Sequence, residues 1–186
     1  MREIALVVVT YNGADRLDAL DQLALAGEVE VKVLVDSWSP DGTGELAMAR
    51  GWDVVRPAGK FDHSGTRRQA WEVVAAAVGR RGVVVFATQD VAPVDTGAVR
   101  RLLRAFQAEE GVGAAYGRQV PRLGAGPFEA HARLFNYPDR SEVRSMEDAK
   151  RLGIKACFFS DSFAAYRLEA LEEVGGFPER AIVGED

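Results

Sequence analysis

Cysteine is almost missing from this chain. Cys157 is alone among 186 residues, so no disulfide can close within the chain and no cysteine cluster can hold zinc. A reducing, cytoplasmic setting is the simplest reading. Long apolar runs are missing too. The apolar start over residues 4–9 is too short and too poorly flanked for a signal peptide, and no run is long enough to span a bilayer. Peripheral association with a membrane surface stays open. There is no excess of positive charge: 23 Lys and Arg stand against 28 Asp and Glu, a net charge of -5. Nucleic acid is therefore a poor partner, because phosphate contacts need clustered basic residues. A local pocket for a small phosphate ligand is compatible with that balance. Several nucleotide and hydrolase signatures are also absent. No G-x-G-x-x-G follows the first apolar run, which argues against a dinucleotide-binding domain; no Walker A loop appears, and no G-x-S-x-G elbow.

What is present is the composition of one ordinary globular domain, 47% apolar and 27% charged. Residues 4–9 form a continuous aliphatic, β-branched run, the mark of a strand buried on both faces. Further strands are expected over 29–35, 52–55, 83–87 and 112–116. Helices are expected between them over 15–26, 43–50, 64–78 and 97–109, the last with Asp95 as a cap. This alternation predicts an α/β fold with a mostly parallel sheet flanked by helices. The rhythm changes after Tyr116. Prolines and glycines crowd residues 117–153, with helical patches at 128–135 and 146–152, a late strand over 157–166 and a short helix over 168–174.

In open α/β sheets, ligands bind beyond the carboxyl ends of the strands. Thr10, Tyr11 and Asn12 follow the first strand, Asp36 the second, and Gln89 and Asp90 the fourth. Singly, each has a structural reading: Tyr11 can cover the core, Asn12-Gly13 is a common turn, and Asp36 can cap a loop. A shared rim is what raises them to candidate ligand contacts.

At these residues the sequence resembles the family 2 inverting glycosyltransferases, which have the GT-A fold. The resemblance rests on Val-Val-Val-Thr-Tyr-Asn-Gly (7–13), Val-Leu-Val-Asp-Ser-Trp-Ser-Pro-Asp-Gly-Thr (33–43) and Phe-Asp-His-Ser-Gly-Thr-Arg-Arg-Gln-Ala (61–70). It continues with Thr-Gln-Asp (88–90) at the D-x-D position, Gly-Gly-Phe-Pro-Glu (175–179) and Gly-Glu-Asp (184–186). Each motif is weak, but together, in order, they cover essentially the whole chain. Tyr-Gly-Arg-Gln-Val-Pro-Arg (116–122) and Ala-Arg-Leu-Phe-Asn-Tyr-Pro (132–138) look closest to rhamnosyltransferase-like members.

The resemblance implies a single domain over 1–186, with a nucleotide-sugar-binding half (1–116) and an acceptor-side half (117–186). It implies transfer of a sugar, rhamnose included, from a dTDP- or UDP-sugar to a glycan or glycolipid acceptor in polysaccharide or lipopolysaccharide assembly. By the same resemblance, Thr10, Tyr11 and Asn12 line the nucleoside pocket, and Asp36 accepts from the base imide. Gly65 allows close approach to ligand, Arg67 faces the base or diphosphate, and Gln89 reaches the ribose. Asp90 holds Mg2+ or Mn2+ on the diphosphate, a metal site weakened by Thr88 standing where the family has its first acid, with Gln89 at the middle position. Asp186 is the catalytic base. His63 is either a pocket wall or a solvated loop residue. Arg118, Arg122, His131 and Arg133 lend the 117–153 stretch positive charge; Phe128, Phe135 and Tyr137 are either core or an acceptor surface. Family members continue past Asp186, so the expected chain is one cut short at its C-terminus. A binding module without catalysis, and a nucleotidyltransferase, are the competing readings.

Overall fold

The computed structural model describes residues 3–26, 29–58 and 62–178. The strands are β1 (Ile4–Thr10), β2 (Val31–Asp36), β3 (Asp53–Val55), β4 (Val83–Thr88), β5 (Ala114–Tyr116) and β6 (Phe163–Arg167). The helices are α1 (Leu17–Ala26), α2 (Thr43–Ala49), α3 (His63–Val78), α4 (Ala98–Ala108), α5 (Pro127–Asn136), α6 (Ala149–Leu152) and α7 (Leu168–Glu173). The sheet order is β3-β2-β1-β4-β6-β5.

The period-2 alternation of strands explains the layers. On one face of the sheet, Leu6, Val8, Leu34 and Val85 pack with Leu17, Leu20 and Leu23 of α1 and Val99 and Leu102 of α4. On the other, Ala5, Val7, Val33, Val35, Val84 and Phe86 pack with Ala70, Val74 and Val78 of α3 and Leu168 and Leu171 of α7. A strand buried on both sides needs apolar residues at every position, which is why β1 reads Ile-Ala-Leu-Val-Val-Val. The helices that cover the sheet, α1 and α4 on one face and α3 and α7 on the other, answer with apolar residues three and four apart.

β1 pairs in parallel with both β2 and β4. The chain builds β2 and β3 on one side of β1 and then returns to add β4 on the other. The β1/β4 boundary is thus the point where strand order reverses, the place where open α/β sheets leave a crevice.

Two sequence expectations change here. The strand expected over 112–116 shortens to Ala114–Tyr116 and does not continue the parallel sheet beside β4. It pairs antiparallel with β6, which lies between them and is antiparallel to both. The strand expected over 157–166 begins only at Phe163; a 3-10 turn covers Gly153–Cys157. The apolar Phe158 and Phe159 do not lie on the sheet. They pack edge-on against Tyr116, with ring centroids 5.9 and 5.0 Å away. Tyr137 joins the same aromatic cluster and is 6% exposed, so it is core. Phe128 and Phe135, by contrast, are exposed. Asp95, expected as the cap of α4, is not one: Gly97 is the N-cap and no side chain caps it, and Asp95 instead accepts from Gly97 N at 2.7 Å in the turn before the helix.

Arg167 ties the antiparallel strand to the rest. It is 7% exposed and donates through Nε to Val112 O at 2.7 Å and through a terminal nitrogen to Phe106 O at 2.9 Å. Among the described residues, no helix is long and apolar enough to cross a membrane.

Candidate functional site at the strand ends

The register brings the expected rim together: Thr10 lies opposite Asp36, and Val9 opposite Thr88. Thr10 Oγ1 donates to Gln89 Oε1 at 2.5 Å, and Tyr11 N donates to the same oxygen at 2.9 Å. Gln89 thus bridges the crevice at the switch point. Gly13 is required beside it, because a Cβ there would collide with Thr10 Oγ1 and come within 3.0 Å of Gln89 Oε1. Asn12 holds a left-handed backbone, φ 53°, which asparagine tolerates better than most residues.

Four successive backbone N–H groups follow β1, and every one is taken by a side chain. Gln89 accepts from Tyr11 N, Ser39 Oγ from Asn12 N at 2.9 Å, Thr43 Oγ1 from Gly13 N at 2.9 Å, and Asp41 from Ala14 N at 3.2 Å. The Ser-x-Asp-Gly-Thr stretch is therefore a clamp on the β1 loop. Asp41 also accepts from Thr43 N at 3.1 Å and Thr43 Oγ1 at 2.5 Å. The Thr43 hydroxyl, more than the backbone donors, holds the Asp41 carboxyl below its ordinary value. Sequence reasoning places these residues in a motif but gives them no role. The spacing of short acceptors after a strand is the available signal.

Asp36 is 0% exposed. Its carboxylate accepts from Ser39 N at 3.0 Å and lies 3.5 Å from Arg56 Nε. Arg56 in turn donates to Glu45 at 2.5 Å, the largest cause lowering the pKa of Glu45. In this arrangement Asp36 faces its own loop and Arg56. Trp38, to which the sequence assigns no role, stands on that loop with 65% exposure; Tyr11 is 54% exposed.

The resemblance points Arg67 at the base or the diphosphate. In the structure Arg67 is 5% exposed, and its Nε lies 3.4 Å from Asp161 Oδ2. Asp161, 3% exposed, also accepts from the Tyr166 hydroxyl. This buried ion pair joins α3 to the segment before β6, and nothing in the sequence links residues so far apart. Gly65 admits the Asp62 carboxylate, which lies where a Cβ would otherwise stand. The Gly-Gly-Phe-Pro segment packs on the start of α3: Ser64 Oγ donates to Pro178 O and Arg68 donates to Phe177 O at 3.3 Å. His63 is the first residue of α3. Asp186 lies outside the described residues.

Asp90 is exposed. Thr88 Oγ1 donates to it at 2.7 Å, and an Arg122 nitrogen is 3.9 Å from its other oxygen. Among the described residues, no three His, Cys, Asp or Glu gather as a metal cage. A single open carboxylate suits a hard divalent ion whose remaining ligands are water and substrate phosphate oxygens.

Solved structures share this architecture. A mannosyltransferase from Pyrobaculum calidifontis, solved in complex with GDP-Man and Mn2+, superposes with a TM-score of 0.62 at 23% identity over 96% of this chain and 48% of its own. Glucosyl-3-phosphoglycerate synthase from Mycobacterium tuberculosis, solved with UDP, gives 0.59 at 20% identity, over 90% of this chain and 57% of its own. The fold is thus of the GT-A type. The chain belongs to the family described as Glycosyl transferase family 2, whose model matches residues 5–175. It is 37% identical over 190 residues to the O-antigen chain rhamnosyltransferase RfbN of Salmonella typhimurium, covering 99% of this chain and 58% of that protein. It is 40% identical over 156 residues to the O-antigen chain rhamnosyltransferase WbaN of Salmonella anatum, covering 83% of this chain and 48% of that protein. The chain thus spans about half the length of these curated relatives.

Proposed function

We propose that this chain carries the donor-binding part of an inverting sugar transferase that moves a sugar, rhamnose by likeness to its relatives, from a dTDP- or UDP-sugar to a glycan or glycolipid hydroxyl. The observation that carries this reading is the clamped rim at the β1/β4 switch point, where Thr10, Tyr11, Gln89 and Asp90 meet. Tyr11 offers an exposed ring to a base, and Asp90 and Arg122 offer a carboxylate and a guanidinium to a metal-bound diphosphate. Asp36, in this reading, either reaches the base imide after Arg56 shifts or shapes the pocket floor from below. A divalent ion bound there, Mg2+ or Mn2+, would neutralise charge on the leaving diphosphate. The guanidinium of Arg122 adds charge-assisted bonds to the same oxygens. Asp186 is proposed as the base that takes the acceptor proton during attack on the anomeric carbon from the face opposite the diphosphate, inverting its configuration. A place at the cytoplasmic face of a membrane fits a glycolipid acceptor.

A catalytically weak binding module is favoured by one observation: with Thr88 at the first acid position and the Gln89 oxygen committed to Thr10 and Tyr11, Asp90 is the one carboxylate this stretch offers a metal. A nucleotidyltransferase would need free backbone donors after β1 to cradle phosphates, and those donors are occupied by side chains.

Thermal shift with UDP, dTDP and GDP, each with and without Mn2+, tests the donor site. Metal-enhanced stabilisation by UDP or dTDP that drops in Asp90→Ala is expected. No shift with any nucleotide overturns the donor reading. Product formation by the chain excludes the inert module, and unchanged turnover in Asp186→Asn removes the proposed base.

A further inference from the structure

We propose that the outer face of α5, with the 3-10 turn Gly153–Cys157 beside it, docks this protein on an anionic lipid bilayer. The docking stands on the surface alone; its use, bringing the rim to a glycolipid acceptor, rests on the reading above.

α5 is an amphipathic helix turned inside out. Phe128, His131, Ala132 and Phe135 recur at i, i+3, i+4 and i+7, so they share one face. A surface helix normally buries such a stripe. Here no residue of the helix is buried, and Phe128 is 91% exposed. The residues with partial cover are Ala130, Arg133 and Asn136, three apart on the opposite side. The helix is nonetheless anchored where it ends. Tyr137 is buried against Tyr116 and Phe158, and its carbonyl accepts from Arg118 Nε at 3.2 Å.

The apolar surface continues beyond the helix. Lys155 Nζ lies 3.7 Å from the Phe135 ring centroid, which sets the turn Gly153–Cys157 against α5, with Ile154 90% exposed beside it. Arg144 donates to Lys155 O at 3.1 Å and brings exposed Val143 to the same turn. Among the described residues, eight of the sixteen exposed large apolar side chains fall between Val120 and Ile154. Surface apolar residues are ordinarily scattered singly, so a concentration of this kind marks a contact surface.

Charge identifies what covers it. Residues 117–157 carry eight Lys and Arg against five Asp and Glu, in a chain whose net charge is -5. Arg144 and Arg151 hold Glu142, and Arg151 holds Asp148; among the described residues, Arg133, Arg140, Lys150 and Lys155 have no carboxylate within ion-pair distance. Apolar groups flanked by unpaired cations match an anionic lipid surface: the rings enter the acyl boundary and the cations meet the headgroup phosphates. A second copy docking by two-fold symmetry would instead set this positive surface against itself. Position agrees with a bilayer. β5 and β4 are both antiparallel to β6 and so run the same way. The chain therefore leaves the sheet after Tyr116 and rejoins it at Phe163 on the edge that carries the strand-end rim. Arg122, within this excursion, lies 3.9 Å from Asp90.

The test is co-sedimentation with vesicles of phosphatidylcholine alone, and of phosphatidylcholine with about one-third phosphatidylglycerol, at low and high salt. Wild type should partition onto the anionic vesicles at least about fivefold better than onto the neutral ones, and salt should erase the preference. Burying one phenylalanine is worth roughly ten- to a hundredfold in partitioning, and one cation near an anionic surface about fivefold. Phe128→Ser and Ile154→Ser should each weaken partitioning about tenfold, and Lys155→Gln about fivefold. Leu25→Ser, which removes an exposed apolar residue from α1, should change nothing. Melting without lipid is the folding control, and the exposure of all four side chains keeps these variants folded. Wild type that fails to sediment with anionic vesicles, or Phe128→Ser and Ile154→Ser that sediment as wild type does, overturns the docking. So does self-association of wild type in analytical ultracentrifugation that Phe128→Ser abolishes, the mark of a second copy on this face. Thermal shift with UDP or dTDP and Mn2+ on the same proteins separates the two readings. Nucleotide binding without vesicle binding sinks the docking alone, and vesicle binding without nucleotide binding supports the docking while the donor reading falls.

Discussion

Arg67 and Asp161 are 5% and 3% exposed, with Nε and Oδ2 3.4 Å apart. Replacing one partner leaves the other charge in a site with little access to water, a change that costs about 3–5 kcal/mol. Arg67→Met and Asp161→Asn should therefore each lower stability by about that amount. For a domain of this size each kcal/mol moves the melting temperature roughly 2–4 °C, so the fall should be roughly 6–20 °C. The pair itself is no proof of stabilisation, since its desolvation opposes its attraction. The sign of the argument lies in the cycle. The double variant buries no charge, and the amide oxygen introduced by Asp161→Asn can still accept from the Tyr166 hydroxyl. It should therefore be more stable than the sum of the single costs by at least about 2 kcal/mol. Urea denaturation followed by circular dichroism gives all four stabilities, with the slope checking that unfolding stays two-state. Single costs under about 1 kcal/mol, or costs that add within about 0.5 kcal/mol, would refute a buried pair. An Arg67→Met protein of normal stability that fails to bind nucleotide would return Arg67 to the diphosphate.

Gln89→Ala removes the acceptor shared by Thr10 Oγ1 and Tyr11 N; a loss of about 1–3 kcal/mol with weaker nucleotide binding is expected by denaturation and titration, and Gln89→Glu should recover most of the stability. Arg167→Met strips donors from Val112 O and Phe106 O and should cost about 2–4 kcal/mol in the same assay, with less than about 1 kcal/mol counting against its bracing role. The Asp41 carboxyl is held below its ordinary value chiefly by the Thr43 hydroxyl, so the stability it contributes is present above the unfolded value of about 4 and lost as pH falls through the lower folded value. Melting curves of wild type and Asp41→Ala should accordingly differ at neutral pH and converge in strong acid; a gap that widened on acidification would contradict the assigned bonds.

The sequence by itself determined the parallel half of this protein. Residues 4–9 and 83–87 are apolar at every position because both faces of their strands are covered, and the helices that cover the sheet carry apolar residues three and four apart because each covers a single face. Those periodic signals are local, so they place β1, β2, β4 and α3 nearly residue for residue. The rim at the strand ends followed from them, since parallel strands put their carboxyl ends on one edge. Tertiary structure decided what each rim residue touches. Nothing local tells that β6 inserts between β4 and β5, because a stretch as short as Phe-Ala-Ala-Tyr-Arg does not encode its partner. Nor does local pattern tell that Arg67 meets Asp161, that Asp36 meets Arg56, or that Ser39, Asp41 and Thr43 spend their acceptors on the β1 loop. These pairings depend on charge and hydrogen-bond partners brought close only after the sheet has formed, and burial then makes leaving them unmet costly.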